Sequence, residues 1–512
     1  MSLPLYLDPE TTLEARLRRS AGSVGSAAAL LDGVDVRASH ADLRRIRDGG
    51  RQRLRDAGVR RTDHVALVMS NTWELAAAML AVTTAGAAAV LDPGLTDREM
   101  VDYLTLLAPA AILVDAASAP RVYSLVGPAV AVLDWSTDET DGSPDNEQPA
   151  PEDVALLLFT SGTTAAPKVV QLSQRNLAAA ADSIVATLHL GIADRALNVM
   201  SLHHGHGIFP GTLAPLVAGG ATACTRVNDA DELATVAAAV APTWYSAAPV
   251  VHHSLLAMAR ANPLVGENLN LRVIRSTSSA LAANLLAGLE RCFSAPVVEA
   301  YALSEAPGQI ASNPLHGIRR TGTVGRPQGT EIAVLTMSGA ITDAPGSTGE
   351  VLVRGPVVMP GYLGVSDGEQ PFLDGWLRTG DHAHLTDDGY VALVGRTVDV
   401  ISRGAEKFSP LEVEKALAEH PAVAEVAVFG RAHPTLGAEA AAAVVLRPGA
   451  CLSEHELIAY VAERVAAYKV PVQIEFMAAL PRGRTGKIVR RRLAEQSTRS
   501  TSRSGLRITS VR

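Results

Sequence analysis

The chain has 512 residues, more than one hydrophobic core can organise, so two or more domains are expected. Its composition, 47% apolar and 19% charged, is that of an ordinary globular protein, and a net charge of −8 offers nothing to attract nucleic acid or an anionic membrane. Three cysteines, Cys224, Cys292 and Cys451, lie too far apart for a CxxC metal or redox site, argue against a disulfide framework, and read as small buried hydrophobes.

At the N-terminus, Asp8 and Glu10 with no basic run do not make a signal peptide. No apolar run is long enough to span a bilayer, and stretches such as Leu75–Leu91 fit buried helices. A cytoplasmic enzyme without a membrane span is the expectation. His64–Met69, Ala110–Val114 and Ala129–Leu133 read as short strands. Trp73–Ala85 reads as a helix stopped by Gly86. Such alternation predicts α/β architecture with parallel sheets covered by helices. Ser136–Pro151 is acidic and apolar-poor, a surface loop. The strand Val154–Phe159 then runs into a Gly/Thr-rich turn. Past residue 330, Glu331–Leu335, Gly349–Gly355 and Gly389–Gly395 suggest a β-rich module, and a compact α+β unit follows Arg396. In it, Ser409-Pro410-Leu411-Glu412 and Ser453-x-x-Glu456 both read as capped helix starts, with glutamates able to close capping boxes. Ala422–Gly430 and Glu439–Leu446 read as strands. The expected organisation is a large domain over 1–396, a hinge at 397–399, a small mobile α+β domain over 400–495 and a disordered tail over 496–512.

The sharpest chemical signal is Thr160-Ser161-Gly162-Thr163-Thr164-Ala165-Ala166-Pro167-Lys168, which follows a buried strand. Small hydroxyl residues and glycine let backbone N–H groups approach a polyphosphate, and Lys168 adds a point charge. It is not a Walker A loop, and no dinucleotide-binding glycine fingerprint follows a strand. A Thr/Ser/Gly run alone is more often a polar surface turn. Three further segments change that reading: Tyr301-Ala302-Leu303-Ser304-Glu305, Trp376-Leu377-Arg378-Thr379-Gly380-Asp381, and Pro481-Arg482-Gly483-Arg484-Thr485-Gly486-Lys487. In this order they resemble the adenylate-forming superfamily of acyl-CoA synthetases, peptide-synthetase adenylation domains and luciferases. The resemblance runs from about His64 to Leu493.

The resemblance implies roles position by position. Thr160, Ser161, Gly162, Thr163, Thr164 and Lys168 would hold the ATP phosphates. Ser278, Ser279 and Ala280 match the adenine wall, and Tyr301, after Ala300, would stack on adenine. Ser304 would touch the α-phosphate and Glu305 would hold Mg²⁺. Asp381 would accept from both ribose hydroxyls, with Arg396 assisting, and Lys487 would reach the α-phosphate and the substrate carboxylate. A carboxylate attacking an α-phosphate brings two anions together, so positioning and cations lower the barrier and no protein nucleophile is required. The small domain would swing between two poses, one bringing Lys487 and the other Arg403 and Gly404 to the cleft with coenzyme A. Here Ala165 and Val169 replace family glycines, Ala405 replaces one glycine of a pair, and Val398 precedes Asp399 at the hinge.

His203-His204-Gly205-His206-Gly207 matches the acyl-pocket segment. Arg275-Ser-Thr-Ser-Ser-Ala-Leu281 with Ser312-Asn313-Pro314 looks closest to the oxalate–CoA ligase branch, in which Arg275 or a nearby histidine would pair a second carboxylate. That branch usually has histidine where Gly308 stands, so fatty, short dicarboxylic and aromatic acids stay open. The leading expectation is an acid–thiol ligase (EC 6.2.1.-) using ATP, Mg²⁺ and CoA. Two alternatives remain: transfer of the acyl group to a carrier protein or amine, and a nucleotide-binding scaffold without catalysis. A homodimer is left open.

Overall fold

The structure is a computed structural model that describes residues 11–33, 35–128, 130–137, 148–160, 168–225, 229–396, 401–403, 406–433, 437–465, 467–483, 488–490 and 492–497. The chain packs as two compact units. The first comprises Met1–Ile332, Leu352–Arg378 and Gly389–Val391, and the second Ala333–Val351, Thr379–Asp388 and Ala392–Arg512. The hinge expected at 397–399 lies outside the described residues.

Two sheets build the first unit. In one, the strands run in the order Gly361–Tyr362, Lys168–Ser173, Val154–Thr160, Ala87–Leu91, His64–Val68, Ala111–Val114 and Ala131–Asp134. The strands from Val154–Thr160 to Ala131–Asp134 are parallel, and the two at the other edge are antiparallel. The run Leu75–Leu91 is not one helix. The helix Trp73–Ala85 ends at Gly86, and Ala87–Leu91 is a fully buried strand. A Cβ at Gly86 would sit 2.6 Å from the Asp63 carbonyl, so glycine permits the close reversal, and the five apolar residues beyond it suit a strand covered on both faces.

The other sheet is ordered Arg326–Pro327, Ala311–Ser312, Val297–Tyr301, Val273–Ser276, Trp244–Ala247, Arg195–Asn198, Ala221–Cys224, Ala28–Asp32 and Asp35–Ser39. Its six strands from Val297–Tyr301 to Ala28–Asp32 are parallel. Leu233, Val240, Leu255, Leu285 and Leu289 from the covering helices pack against Leu197, Tyr245, Ile274 and Val297 on its face. In open α/β sheets, ligands bind beyond the carboxyl ends of such strands. Here those ends are Asn198, Ala247, Ser276 and Tyr301.

Glu331–Leu335, Thr348–Arg354 and Trp376–Leu385 each contribute residues to both units. The second unit's main sheet is ordered Glu406–Phe408, Ile401–Arg403, Gly437–Leu446 and Val423–His433, with Gln473–Phe476 parallel to Gly437–Leu446. Helices Pro410–Ala418 and Glu454–Ala462 bury Val413, Leu417, Leu457 and Val461 against it. Ser453 and Glu456 form the expected capping box. Glu412 does not form one: Ser409 accepts from Leu411 N instead, and Glu412 pairs with Lys469. An ammonium partner outcompetes a backbone N–H for that carboxylate.

Cys224 is buried, with its thiol pushed up to about 12 by burial. Cys292 is half-buried, and Cys451 is exposed in the loop before the last capped helix, so the burial expected of all three holds fully only for Cys224. Gln496 and Ser497 are helical rather than part of a tail, and Ser497 is fully buried. Among the described residues no helix is long and apolar enough to cross a membrane.

Candidate active site

The strands Val154–Thr160 and Lys168–Ser173 form an antiparallel hairpin whose last facing pair is Thr160 and Lys168. Thr160 Oγ1 donates to the Lys168 carbonyl at 3.4 Å. Residues 161–167, which carry Ser161, Gly162, Thr163, Thr164 and Ala165, lie outside the described residues, but both ends of this segment are pinned. Val169 is 1% exposed and packs in the sheet core with Leu157. Valine in place of glycine therefore continues the strand.

A segment that sequence reasoning passed over joins this hairpin to Glu305. Gly361 and Tyr362 pair with Gln171 and Val170, and Leu363 N donates to the Val169 carbonyl. Asn176, in the capping box that starts helix Gln174–Leu188, donates to the carbonyls of Pro356 and Val358 at 2.7 and 3.0 Å. Met359 N donates to the Glu305 carbonyl at 2.9 Å. Gln370 clamps Tyr362 by accepting from its N–H and donating to its carbonyl. Held in this way, Tyr362 donates its hydroxyl to Glu305 Oε1 at 2.6 Å, while Lys168 Nζ lies 4.8 Å from its ring centroid. Burial, and then the Glu305 charge, push the phenol's pKa up, so it stays a donor. The Pro360-Gly361 dipeptide marks a turn in the sequence, but no local signal names Glu305 as its partner.

Tyr301, 6% exposed, and Ala300, 5% exposed, end the strand Val297–Tyr301, where they face Ala311 and Ser312. Ser304 and Glu305 follow in a half-buried loop. Ser278, Ser279 and Ala280 are exposed just past the strand Val273–Ser276, and Ser278 has φ of +78°, a conformation that strains a residue with a Cβ.

The pocket candidates also come together. His204 is the N-cap of the short helix Gly205–Ile208. His206 bridges two hydroxyls, with Nδ1 3.0 Å from Ser278 Oγ and Nε2 2.8 Å from Ser246 Oγ. Ser246, missed in the sequence, is the next-to-last residue of its strand and faces Arg275 across the parallel pair. Arg275 is fully buried rather than lining an open surface. It donates to Ser246 Oγ at 3.2 Å and to the Gly308 carbonyl at 2.7 Å. Burial lowers its pKa to about 10, so it is cationic at neutral pH. No carboxylate among the described residues pairs with it, and its Nε has no partner there. Gly308 has φ of +74°, and a Cβ there would lie 2.7 Å from the Ala180 carbonyl oxygen. No side chain fits unless helix Gln174–Leu188 moves, which accounts for the missing histidine. The pocket role expected of Gly308 reduces to its carbonyl.

In the second unit, Asp381 is 6% exposed. It lies within the strand Trp376–Leu385, directly after Gly380, which at φ +71° donates to Glu350 Oε1 at 3.2 Å. Thr379 Oγ1 accepts from Asp381 N and donates to the Val351 carbonyl. Arg403 donates to the carbonyls of Tyr468 and Ala467 at 3.1 and 3.5 Å. Lys487 and Gly404 lie outside the described residues, as does the side chain of Arg396. The described flanks of Lys487 are anchored: Arg482 and Ile488 form a bridge, and Arg490 binds both oxygens of Glu414 at 2.8 and 3.0 Å.

Comparison with known proteins identifies the family. The model of the AMP-binding enzyme family matches residues 17–363, and that of the AMP-binding enzyme C-terminal domain matches residues 412–487. A probable CoA ligase of Humulus lupulus is 36% identical, over 94% of this chain and 96% of the relative. An oxalate–CoA ligase of Arabidopsis thaliana is 37% identical, over 89% and 93% respectively. The crystal structure of ATP-bound MatB from Rhodopseudomonas palustris superposes with a TM-score of 0.87 at 25% identity, covering 95% of this chain and 99% of that one. The chain belongs to the AMP-binding enzyme family and is an ATP-dependent, AMP-forming acid–CoA ligase.

Proposed function

We propose that the acid is short and carries a second anionic group. The observation behind this reading is the buried, cationic Arg275, which lacks a carboxylate partner among the described residues and is linked through Ser246 to His206. An uncompensated buried charge is costly, and a ligand anion at the His206 turn would lower that cost. The oxalate–CoA ligase relative is consistent with this substrate class.

Lys168 and the segment 160–168 hold the β- and γ-phosphates, and Tyr301 with 278–280 holds the adenine. Ser304 contacts the α-phosphate, Asp381 and Arg396 bind the ribose, and Lys487 meets the α-phosphate and the attacking carboxylate. The small domain then turns Arg403 and Gly404 toward CoA. Glu305 fits Mg²⁺. Its Oε1 is fixed by Tyr362, which leaves further lone pairs on the carboxylate, and Mg²⁺ commonly takes one or two carboxylates together with substrate phosphates and waters. Among the described residues no cluster of three or more His, Cys, Asp or Glu side chains forms, and a phosphate-completed ion does not need one. When bound, the ion supplies positive charge at the phosphates. Tyr362 orients the carboxylate for it.

A panel of oxalate, malonate, succinate, acetate, butyrate, hexanoate and benzoate, assayed by pyrophosphate release with and without CoA, tests the reading. The expected outcome is a kcat/KM at least tenfold higher for a dicarboxylate. Preference for hexanoate or benzoate would overturn it. Pyrophosphate release without a thioester on free CoA would instead favour a carrier-protein acceptor.

A further inference from the structure

We propose that Arg275 is a positioning residue that sets the tautomer of His206 through Ser246 and thereby turns the Ser278 hydroxyl hydrogen toward the ligand. The argument follows from what each group can donate. A guanidinium has five N–H donors and no acceptor, so Ser246 Oγ must accept from Arg275 Nη1. Ser246 has one hydrogen, is 5% exposed, and has one other described partner, His206 Nε2 at 2.8 Å. If His206 carried its proton on Nε2, Ser246 would accept twice and its hydrogen would be buried without a partner. Leaving a buried donor unmade forfeits its hydration with nothing in return. Protonating both nitrogens would place a second cation one hydroxyl away from the cationic Arg275. The arrangement that satisfies every donor runs in one direction: Arg275 N–H to Ser246 O, Ser246 O–H to His206 Nε2, and His206 Nδ1–H to Ser278 Oγ at 3.0 Å. Ser278 then accepts from the imidazole and keeps its own hydrogen to give.

That residue is exposed, sits at φ +78° and opens the 278–280 segment. The chain of donors presents a hydroxyl donor to an acceptor oxygen on the bound acyl-adenylate, from a backbone position that only a specific local constraint would keep. The Gly308 carbonyl, in the loop after Tyr301, holds the other terminal nitrogen of the guanidinium, so Arg275 is held at both of its terminal nitrogens. The relay itself depends only on these hydrogen bonds. Its kinetic consequence rests on the acyl-adenylate reading above.

Two arms test it. In protein with ¹⁵N-labelled histidine, His206 is assigned by the resonance lost in His206→Asn. Wild type should show Nδ1 protonated and Nε2 unprotonated, and Ser246→Ala should shift His206 toward the Nε2–H form or a mixture, with Ser246→Thr restoring the wild-type pattern. A wild-type Nε2–H signal, or Ser246→Ala shifts identical to wild type, would overturn the relay whatever the substrate. In the kinetic arm, Ser246→Ala and Arg275→Met should each lower kcat for pyrophosphate release about tenfold more than they raise KM for the acid. The double variant should lose about as much as either single one, because the two act as a unit. Additive losses would overturn the coupling, and altered histidine shifts with unchanged kcat would overturn the role of Ser278. If Arg275→Met fails to fold, Ser246→Ala and Ser246→Thr carry both arms. Absence of acid-dependent pyrophosphate release in wild type would count against the acyl-site reading, while the spectra still decide the relay.

Discussion

Tyr362 and Glu305, 57 positions apart in sequence, share a 2.6 Å hydrogen bond. It joins the hairpin that brackets residues 161–167 to the loop that carries the proposed magnesium ligand. Tyr362→Phe removes the bond and keeps the ring under Lys168. A hydrogen bond to a charged group contributes roughly 1.5–3 kcal/mol. The expected result is a tenfold or greater loss of ATP-dependent pyrophosphate exchange, partly recovered by raising Mg²⁺. A magnesium titration that superimposes on wild type would remove Tyr362 from the site.

Glu299 gives a pH prediction. Only 8% exposed in the strand leading to Tyr301, it has its pKa pushed up to about 7 by burial, opposed by the Gly322 N–H. Below the ordinary carboxylate range both folded and unfolded states hold the proton, and the group is neutral in its effect. As pH rises from about 4.5 to about 7, the unfolded chain releases its proton first, so stability falls. Above that window the penalty is complete, about 3–4 kcal/mol for the full shift at 1.36 kcal/mol per pKa unit. Glu299→Gln should therefore raise the melting temperature at pH 8 and change it little at pH 4. Equal shifts at both would exclude the mechanism.

Glu14 and Arg47, 2% and 3% exposed, form an ion pair that Arg18 joins from the next turn. Removing one member of a buried pair leaves the other charge uncompensated and costs about 3–5 kcal/mol. Glu14→Ala should lose that much in chemical denaturation, and Glu14→Leu with Arg47→Met should recover most of it. A double variant as unstable as the single one would show that packing, not charge, dominates there.

Local patterns made part of this molecule readable. Trp73–Ala85 is apolar on every side and ends at a glycine, so a buried helix was legible, as was the Ser453–Glu456 capping box, which spans one turn. The order of the four motifs announced the family. What stayed hidden depends on register between distant strands. Ser246 and Arg275 meet because two parallel strands align them, and Tyr362 reaches Glu305 because a two-residue strand docks on the hairpin edge. Gly308 looked like a departure from a pocket residue until its approach to Ala180 explained it.

Two neighbouring glycines in the pocket turn should behave oppositely. A Cβ at Gly205 would meet Phe209 and Leu158 at 3.5 and 3.6 Å, ordinary contact distances, whereas one at Gly207 would overlap the Ser201 carbonyl and lie 2.7 Å from the Met200 carbonyl oxygen. Backbone atoms cannot yield as a side chain can, and overpacking costs about 1–3 kcal/mol. Gly205→Ala should keep wild-type stability and change only acid selectivity, while Gly207→Ala should lower the melting temperature and raise KM for the acid. Wild-type behaviour of Gly207→Ala would mean the turn is looser than its contacts indicate.

The proposed role of Lys487 leads to the last prediction. Lys487→Ala should abolish adenylation, a loss of about 10²–10³ in rate for a single transition-state cation, yet spare thioester formation from supplied acyl-adenylate. The stretch after it is fastened by Arg490, which grips Glu414, and Glu414 in turn accepts from Val428 N at 2.8 Å. Glu414→Ala releases that grip without touching a ligand. It should reproduce the Lys487 asymmetry in milder form, roughly a tenfold loss of pyrophosphate release with CoA transfer preserved, because a catalytic group displaced by a fraction of its reach loses the geometry on which its charge depends. Equal loss of both half-reactions in Glu414→Ala would indicate general unfolding of the small unit, which a thermal melt of the same variant would register directly.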